Sequence, residues 1–309
     1  MTVGLRRATA ALSIATINCR SSAFDSFFLT TRTLHCSSTG RTYGHEKGLQ
    51  RFPMSASASS MADFDRDKVN VASNIESVRQ RVLDAVASSN RTDGSVRLVA
   101  VSKTKPLELL RAAYEAGQRH FGENYAQELM TKSPEMPDDV LWHFIGPLQS
   151  NKAAPLVKTV GLNKLACIET VSSLKLATKL NRAAEAWNEE EGLREPKKLG
   201  IYIQVNTSGE GSKSGLTPGS EIIDLIKQIS LECPLLSIDG LMTIGAPGDY
   251  SCFDTLVKCR DQVAEALGKE PNELELSMGM SGDFEIAIAK GATNIRVGST
   301  IFGDREYST

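Results

Sequence analysis

Apolar residues along this chain follow two spacings that take turns. Val71, Ile75, Val78, Val82 and Val86 recur every three or four positions, the spacing that aligns one helix face, and predict an amphipathic helix over residues 68–88. Polar residues from Asn90 to Ser95, with Gly94 among them, break that pattern. Short apolar runs then alternate with longer amphipathic stretches. The runs predict strands at 97–102, 119–123, 141–145, 165–169, 199–205, 237–243, 274–278 and 294–298. Helical stretches at 106–117, 171–187, 220–231, 253–267 and 283–290 lie between them. Ile222, Ile223, Leu225, Ile226 and Ile229 show the apolar helix face most plainly.

A strand-then-helix order implies parallel strands, because a parallel neighbour needs a crossover and a helix is the usual one. Eight such units fit an α/β fold closed into a (β/α)8 TIM barrel. An open doubly wound sheet is the alternative, since strand order is invisible in sequence. No G-x-G-x-x-G follows the first strand and no G-x-x-x-x-G-K-[ST] occurs, which removes the common dinucleotide and P-loop readings. A single barrel domain is expected over residues 61–309.

Charge separates off the first 60 residues. They hold Arg6, Arg7, Arg20, Arg32, Arg41, Lys47 and Arg51 against Asp25 and Glu46, a net +5 that leaves −7 for the rest of a −2 chain. This stretch is rich in Ser, Thr and Ala and reads as an organellar transit peptide or a disordered leader. The expected location is the mitochondrion or a plastid if the leader is used, and the cytoplasm if translation starts at Met54 or Met61. No run of 18 apolar residues exists to span a membrane. The six cysteines form no C-x-x-C pair and have no histidine at zinc spacing, so reduced thiols and no metal site are expected. The acidic folded part argues against nucleic acid as a partner.

Chemistry-bearing residues collect at the strand ends, where barrel proteins place their sites. Lys103 ends strand one in Leu98-Val99-Ala100-Val101-Ser102-Lys103-Thr104-Lys105-Pro106, Asn124 follows strand two, and Arg296 ends strand eight. Ser277-Met278-Gly279-Met280-Ser281-Gly282-Asp283 and Gly298-Ser299-Thr300 leave strands seven and eight. Small residues expose backbone N–H groups and hydroxyls add donors, so these loops either cradle a phosphate or are ordinary turns. Lys103 either extends into solvent or, held near an arginine in a dry barrel mouth, supplies the free amine of a Schiff base. A phosphate-bearing aldehyde satisfies both features, and pyridoxal 5′-phosphate (PLP) is such a molecule. His143 reads as a satisfied strand histidine, the Glu123/Asn124 pair as a helix cap, and Gln149, Asn151 and Lys152 as helix-start residues. The loop from Gly209 to Gly215 reads as solvated, or as a lid with Lys213 facing phosphate.

Six segments together resemble the pyridoxal phosphate homeostasis protein family: Val99 to Pro106, Phe121-Gly122-Glu123-Asn124-Tyr125, Trp142-His143-Phe144-Ile145-Gly146, Leu148-Gln149-Ser150-Asn151-Lys152, Leu276 to Ser281, and Arg296 to Gly303. They occur in the family's order over residues 70–306, with wording most similar to plant members. The resemblance implies a barrel like the alanine racemase N-terminal domain, with PLP bound covalently through Lys103. It implies that Asn124, Ser277, Met278, Arg296, Gly298 and Ser299 contact the cofactor, Ser277 with Gly298 and Ser299 around the phosphate and Arg296 toward the pyridine nitrogen. Ser299 stands where many members have threonine and keeps the hydroxyl.

The same resemblance bears on enzyme against carrier. An arginine facing the pyridine nitrogen disfavours its protonation and weakens the ring as an electron sink. Racemisation also needs acid and base groups on both faces of the substrate carbon. The racemases take a tyrosine from a second domain, whereas this chain ends six residues after Gly303. A PLP carrier with no catalytic residues is therefore expected, as a monomer or weak dimer with apo PLP-dependent enzymes as recipients; a racemase-type enzyme is the alternative.

Overall fold

The computed structural model describes residues 70–89, 91, 96–211 and 214–304. The leader expected over residues 1–60 lies outside them. All eight expected strands are present: β1 (Arg97–Val101), β2 (His120–Glu123), β3 (Leu141–Phe144), β4 (Leu165–Val171), β5 (Leu199–Gln204), β6 (Leu236–Met242), β7 (Glu275–Ser277) and β8 (Asn294–Val297). Each pairs in parallel with the next, and β8 pairs with β1. The sheet is thus a closed barrel in sequential order, which decides against the open alternative.

The helices are α1 (Val71–Ser88), α2 (Leu107–Glu115), α3 (Ala126–Lys132), α4 (Ala153–Val160), α5 (Leu174–Glu191), α6 (Ser220–Glu232), α7 (Ser251–Leu267), α8 (Phe284–Ala289) and α9 (Ser299–Phe302). Helix α1 begins three residues later than the apolar spacing predicts, because the Asn70 side chain accepts from the Ser73 N–H at 3.0 Å and caps it there. Helix α5 also starts later, since the apolar run from Leu165 continues in the barrel wall as far as Val171. Ser173 then caps the helix by accepting from the Leu176 N–H at 3.3 Å.

Two kinds of interior result from the alternation of strand side chains. One set of faces joins the helices in an apolar layer that includes Phe121, Trp142, Phe144, Ile168 and Leu180. The opposite set carries buried polar groups: His143, Glu169, Gln204, Ser277, Asn294 and Arg296. A small separate cluster of Cys167, Tyr202 and Met242 accompanies them. The short β7 meets β8 at one register pair, Ser277 with Asn294. Beyond it the Met278 N–H donates to the Asn294 carbonyl at 3.1 Å and the Arg296 N–H to the Gly279 carbonyl at 3.0 Å, so the loop after β7 stays tied to β8.

Candidate functional site

A cleft of about 630 Å³ opens at the carboxyl ends of the strands. Lys103, Asn124, Arg296, Gly298 and Ser299 all line it, together with Ser281 from the loop after β7. These residues come from four separate strand exits, and the barrel brings them to one mouth. Ile145, Met242 and Met280 give the cleft an apolar side.

Lys103 is set by a strained turn and a buried ionic scaffold. Thr104, directly after it, has φ of 61°, a left-handed conformation that is unusual for a β-branched residue. Its N–H donates to Glu128 Oε1 at 2.6 Å, which holds the turn. The Lys132 ammonium donates to the same oxygen, to Glu123 Oε1 at 2.8 Å and to the Ser102 carbonyl at 2.7 Å. Ser102 Oγ donates to Glu123 Oε1 at 2.7 Å. Burial pushes the Glu123 carboxyl up, and the Lys132 charge opposes that rise.

Asn124 presents a buried Oδ1 without a hydrogen-bond partner, in a residue that lines the cleft. A buried acceptor is costly to leave unpaired, so this atom suits a ligand that donates. Arg296 is 4% exposed. Its Nη1 donates to Ser277 Oγ at 2.5 Å and its Nη2 to the Thr243 carbonyl at 2.7 Å. Burial lowers its pKa, and Glu169, 4.0 Å away, works in the opposite direction. The Gly298 N–H donates to Ser281 Oγ at 3.2 Å, tying together the loops after β7 and β8.

Ser277 and Met278 are placed differently. Ser277 is fully buried, donates to Glu169 Oε2 at 2.5 Å and accepts from Asn294 Nδ2 and Arg296 Nη1. It lies behind Arg296, and Met278 packs into the apolar core; neither lines the cleft. The period of two explains this, because Ser277 shares its strand face with Glu275, and Met278 takes the opposite face. Neither Glu123 nor Asn124 caps α3: Tyr125 occupies the cap position without a side-chain bond, and Glu123 is held by Lys132 and Ser102. The Gln149-to-Lys152 segment does lead into a helix, through a 3₁₀ turn at Ser150–Lys152 before α4. Lys213 lies outside the described residues.

Sequence reasoning passed over Glu169, Asn294 and Lys132. Glu169 had a legible signal, a carboxylate inside the apolar run of β4. His143 is 1% exposed and donates from Nδ1 to Glu169 Oε1 at 2.8 Å, while its Nε2 lies 3.0 Å from His120 Nδ1. Glu169 is fully buried, and although burial raises its carboxyl, His143, Arg296 and Ser277 bring it below the ordinary value. Cys167 Sγ lies 3.1 Å from His143 Nδ1, and burial raises its thiol well above the usual range. His143, Cys167 and Glu169 are the one group of metal-type donors among the described residues. Their atoms are already hydrogen-bonded to one another, which suits a polar network better than an ion. A second recess of about 570 Å³ lies at the opposite barrel end. There Arg97 pairs with Glu275, and Gln118 donates to the Leu98 and His120 carbonyls, so the polar groups are spent on each other.

A family model described as alanine racemase, N-terminal domain, matches residues 69–306. The pyridoxal phosphate homeostasis protein of Bos taurus is 44% identical over 247 residues, covering 76% of this chain and 87% of that protein. The chain belongs to the pyridoxal phosphate homeostasis protein family. PipY of Synechococcus elongatus PCC7942, solved with PLP bound, is 34% identical with a TM-score of 0.58, covering 75% of this chain and 100% of that one. An alanine racemase of Clostridium difficile 630 is 16% identical with a TM-score of 0.54, covering 74% of this chain and 57% of that one; it shares the fold. The family's barrel is therefore the alanine racemase type.

Proposed function

We propose that this protein binds PLP in the cleft at the carboxyl end of the barrel and serves in PLP homeostasis, holding, buffering and delivering the cofactor. The observation that carries this reading is that Lys103, a buried Arg296, the orphaned Asn124 Oδ1 and the Gly298-Ser299 turn line one cleft in a chain of this family. Lys103 would supply the amine that holds PLP, whose aldehyde would offer Schiff-base chemistry with loss of water. Such a hold would be reversible, since a competing amine could take the place of Lys103, and would suit delivery to apo PLP-dependent enzymes.

Each lining group has a part in this. Ser299 would offer its hydroxyl to the phosphate from the turn after β8, which the Gly298 N–H ties to Ser281 Oγ at 3.2 Å. Arg296 would hold the pyridine ring as a donor, which would disfavour protonation of the ring nitrogen and leave the ring a poor electron sink. That favours carriage without catalytic turnover. The second reading, a PLP-dependent racemase-type enzyme, draws on the barrel type shared with alanine racemase.

Purified protein should be yellow, borohydride should fix the cofactor on Lys103, and Lys103→Ala should lose the imine absorbance. A colourless protein that takes up no PLP would sink the proposal. Exchange of amino-acid α-protons in deuterated water at enzymatic rates would instead favour the racemase reading. Cofactor transfer to an apo-enzyme faster than release into solution is the expected result for a carrier, which we propose acts as a monomer or weak dimer. The basic leader supports delivery to a mitochondrion or plastid; fluorescent fusions with and without residues 1–60 should differ in location.

A further inference from the structure

The barrel interior beneath the cleft holds a carboxylate that the proposed binding reaction does not touch. Glu169 sits on β4, and its two oxygens are shared among three other strands, the neighbouring β3 and, across the barrel, β7 and β8. Oε1 accepts from His143 on β3 at 2.8 Å and from Asn294 on β8 at 2.9 Å; Oε2 accepts from Ser277 on β7 at 2.5 Å. Ser277 Oγ in turn accepts from Arg296 Nη1 at 2.5 Å. Glu169 is the carboxylate within ion-pair distance of Arg296 among the described residues, at 4.0 Å. The arginine stands between it and the cleft.

This arrangement has a physical consequence for the cleft. A buried guanidinium without a counter-charge would be costly and would present its full positive field to whatever binds above it. A carboxylate fixed directly behind it cancels much of that field while leaving the guanidinium N–H groups as donors. The carboxylate itself is rigid, because buried side chains on three other strands hold it, with the Cys167 thiol of its own strand a longer fourth contact at 3.9 Å. The groups facing Glu169 are His143, Cys167, Tyr202 and Arg296. Those lining the cleft beside Arg296 are Lys103, Lys105 and Asp304.

We infer that Glu169 is a positioning and charge-setting residue for the cofactor site: through Ser277 it holds Arg296, and by its charge it keeps the Lys103 imine protonated at neutral pH. This rests on the reading that Lys103 forms a Schiff base with PLP. The negative charge favours the cationic imine and Arg296 disfavours it, so the midpoint of imine protonation reports their balance. Removing one buried unit charge at an effective dielectric of about 20 should move that midpoint by about one pH unit, a tenfold change in the protonated-to-neutral ratio.

The experiment is a pH titration of the imine absorption bands of PLP-loaded protein. Glu169→Gln should lower the midpoint by about one pH unit, and Glu169→Asp, which keeps the charge, should restore most of it. PLP bound by Glu169→Gln should also dissociate faster, since Arg296 loses its anchor. A well-folded Glu169→Gln protein with an unmoved midpoint overturns the inference. If that variant does not fold, Arg296→Gln is compared with Arg296→Gln/Glu169→Gln, a pair that buries no unmatched charge in the double variant. The double variant should then have the lower midpoint, and equal midpoints overturn the inference. A wild-type protein with no titratable imine band removes the Lys103 reading instead, so the two failures are distinguishable.

Discussion

At the residue scale the cleft depends on atoms that approach more closely than most side chains allow. A Cβ on Gly146 would lie 2.0 Å from the Asn124 carbonyl oxygen, so the β3 exit and the β2 exit fit only because Gly146 has none. Gly146→Ala must push Asn124 out of place. It should cost about 1–3 kcal/mol, seen as a lower urea midpoint, and should weaken PLP uptake in a spectroscopic titration; unchanged uptake would show that Asn124 does not contribute. Gly279 combines a φ of 93° with a Cβ position 2.6 Å from the Ala287 Cβ, which explains the glycine between Met278 and Met280. Among the site residues, Lys103, Asn124, Arg296, Gly298 and Ser299 were legible because they interrupt or follow apolar runs. Ser277 was legible as a polar strand end, but its place behind Arg296 was not. Its partners Glu169 and Arg296 lie 108 and 19 residues away in the chain, and no local pattern records such a pairing.

At the element scale, α3 does more than cover β2. Its last residue, Lys132, enters the barrel wall and neutralises Glu123 on β2 while bonding Glu128 on its own helix. Those bonds support Ser102 and Thr104 on either side of Lys103. Lys132→Met removes the cation and leaves Glu123 buried alone, which should cost about 3–5 kcal/mol near neutral pH. A folded carboxyl raised above its unfolded value contributes stability below the unfolded value and loses it as pH rises through the folded one. The deficit of Lys132→Met measured by denaturant should therefore shrink in acid. Lys132→Met/Glu123→Gln, with no charge left to bury, should recover most of it; a deficit equal to the single variant's would show that lost packing dominates. In sequence, Lys132 is one lysine on the end of a short helix, the usual setting of a solvated charge. Only the approach of β1 and β2 beneath it makes it a structural ion.

At the scale of the whole molecule, the barrel interior carries polar groups from the lower end to the cleft: His120, His143, Glu169, Ser277 and Arg296 are joined in one hydrogen-bonded series. Burial chiefly, with His143 and Arg97 adding to it, lowers the His120 pKa from 6.5 to about 3. The unfolded chain takes up a proton at this residue below about 6.5, and the folded chain resists until about 3. His120 thus contributes stability above 6.5 that is lost as the pH falls through that window. His120→Gln should flatten the acid limb of a stability-against-pH curve, by up to about 1.4 kcal/mol per pH unit for one proton; a limb of unchanged slope would exclude His120 as its source. The sequence by itself determined the order of the strands, the likeness to the family and five polar or turn residues at the cleft, Lys103, Asn124, Arg296, Gly298 and Ser299, because periodicity and strand-end chemistry are local properties of the chain. Tertiary structure alone decided closure of the sheet, the placement of Ser277 and Met278, and the Glu169 network. Those depend on side chains from distant strands being forced into one interior, where an unpaired polar group is costly and each must find its partner across the barrel.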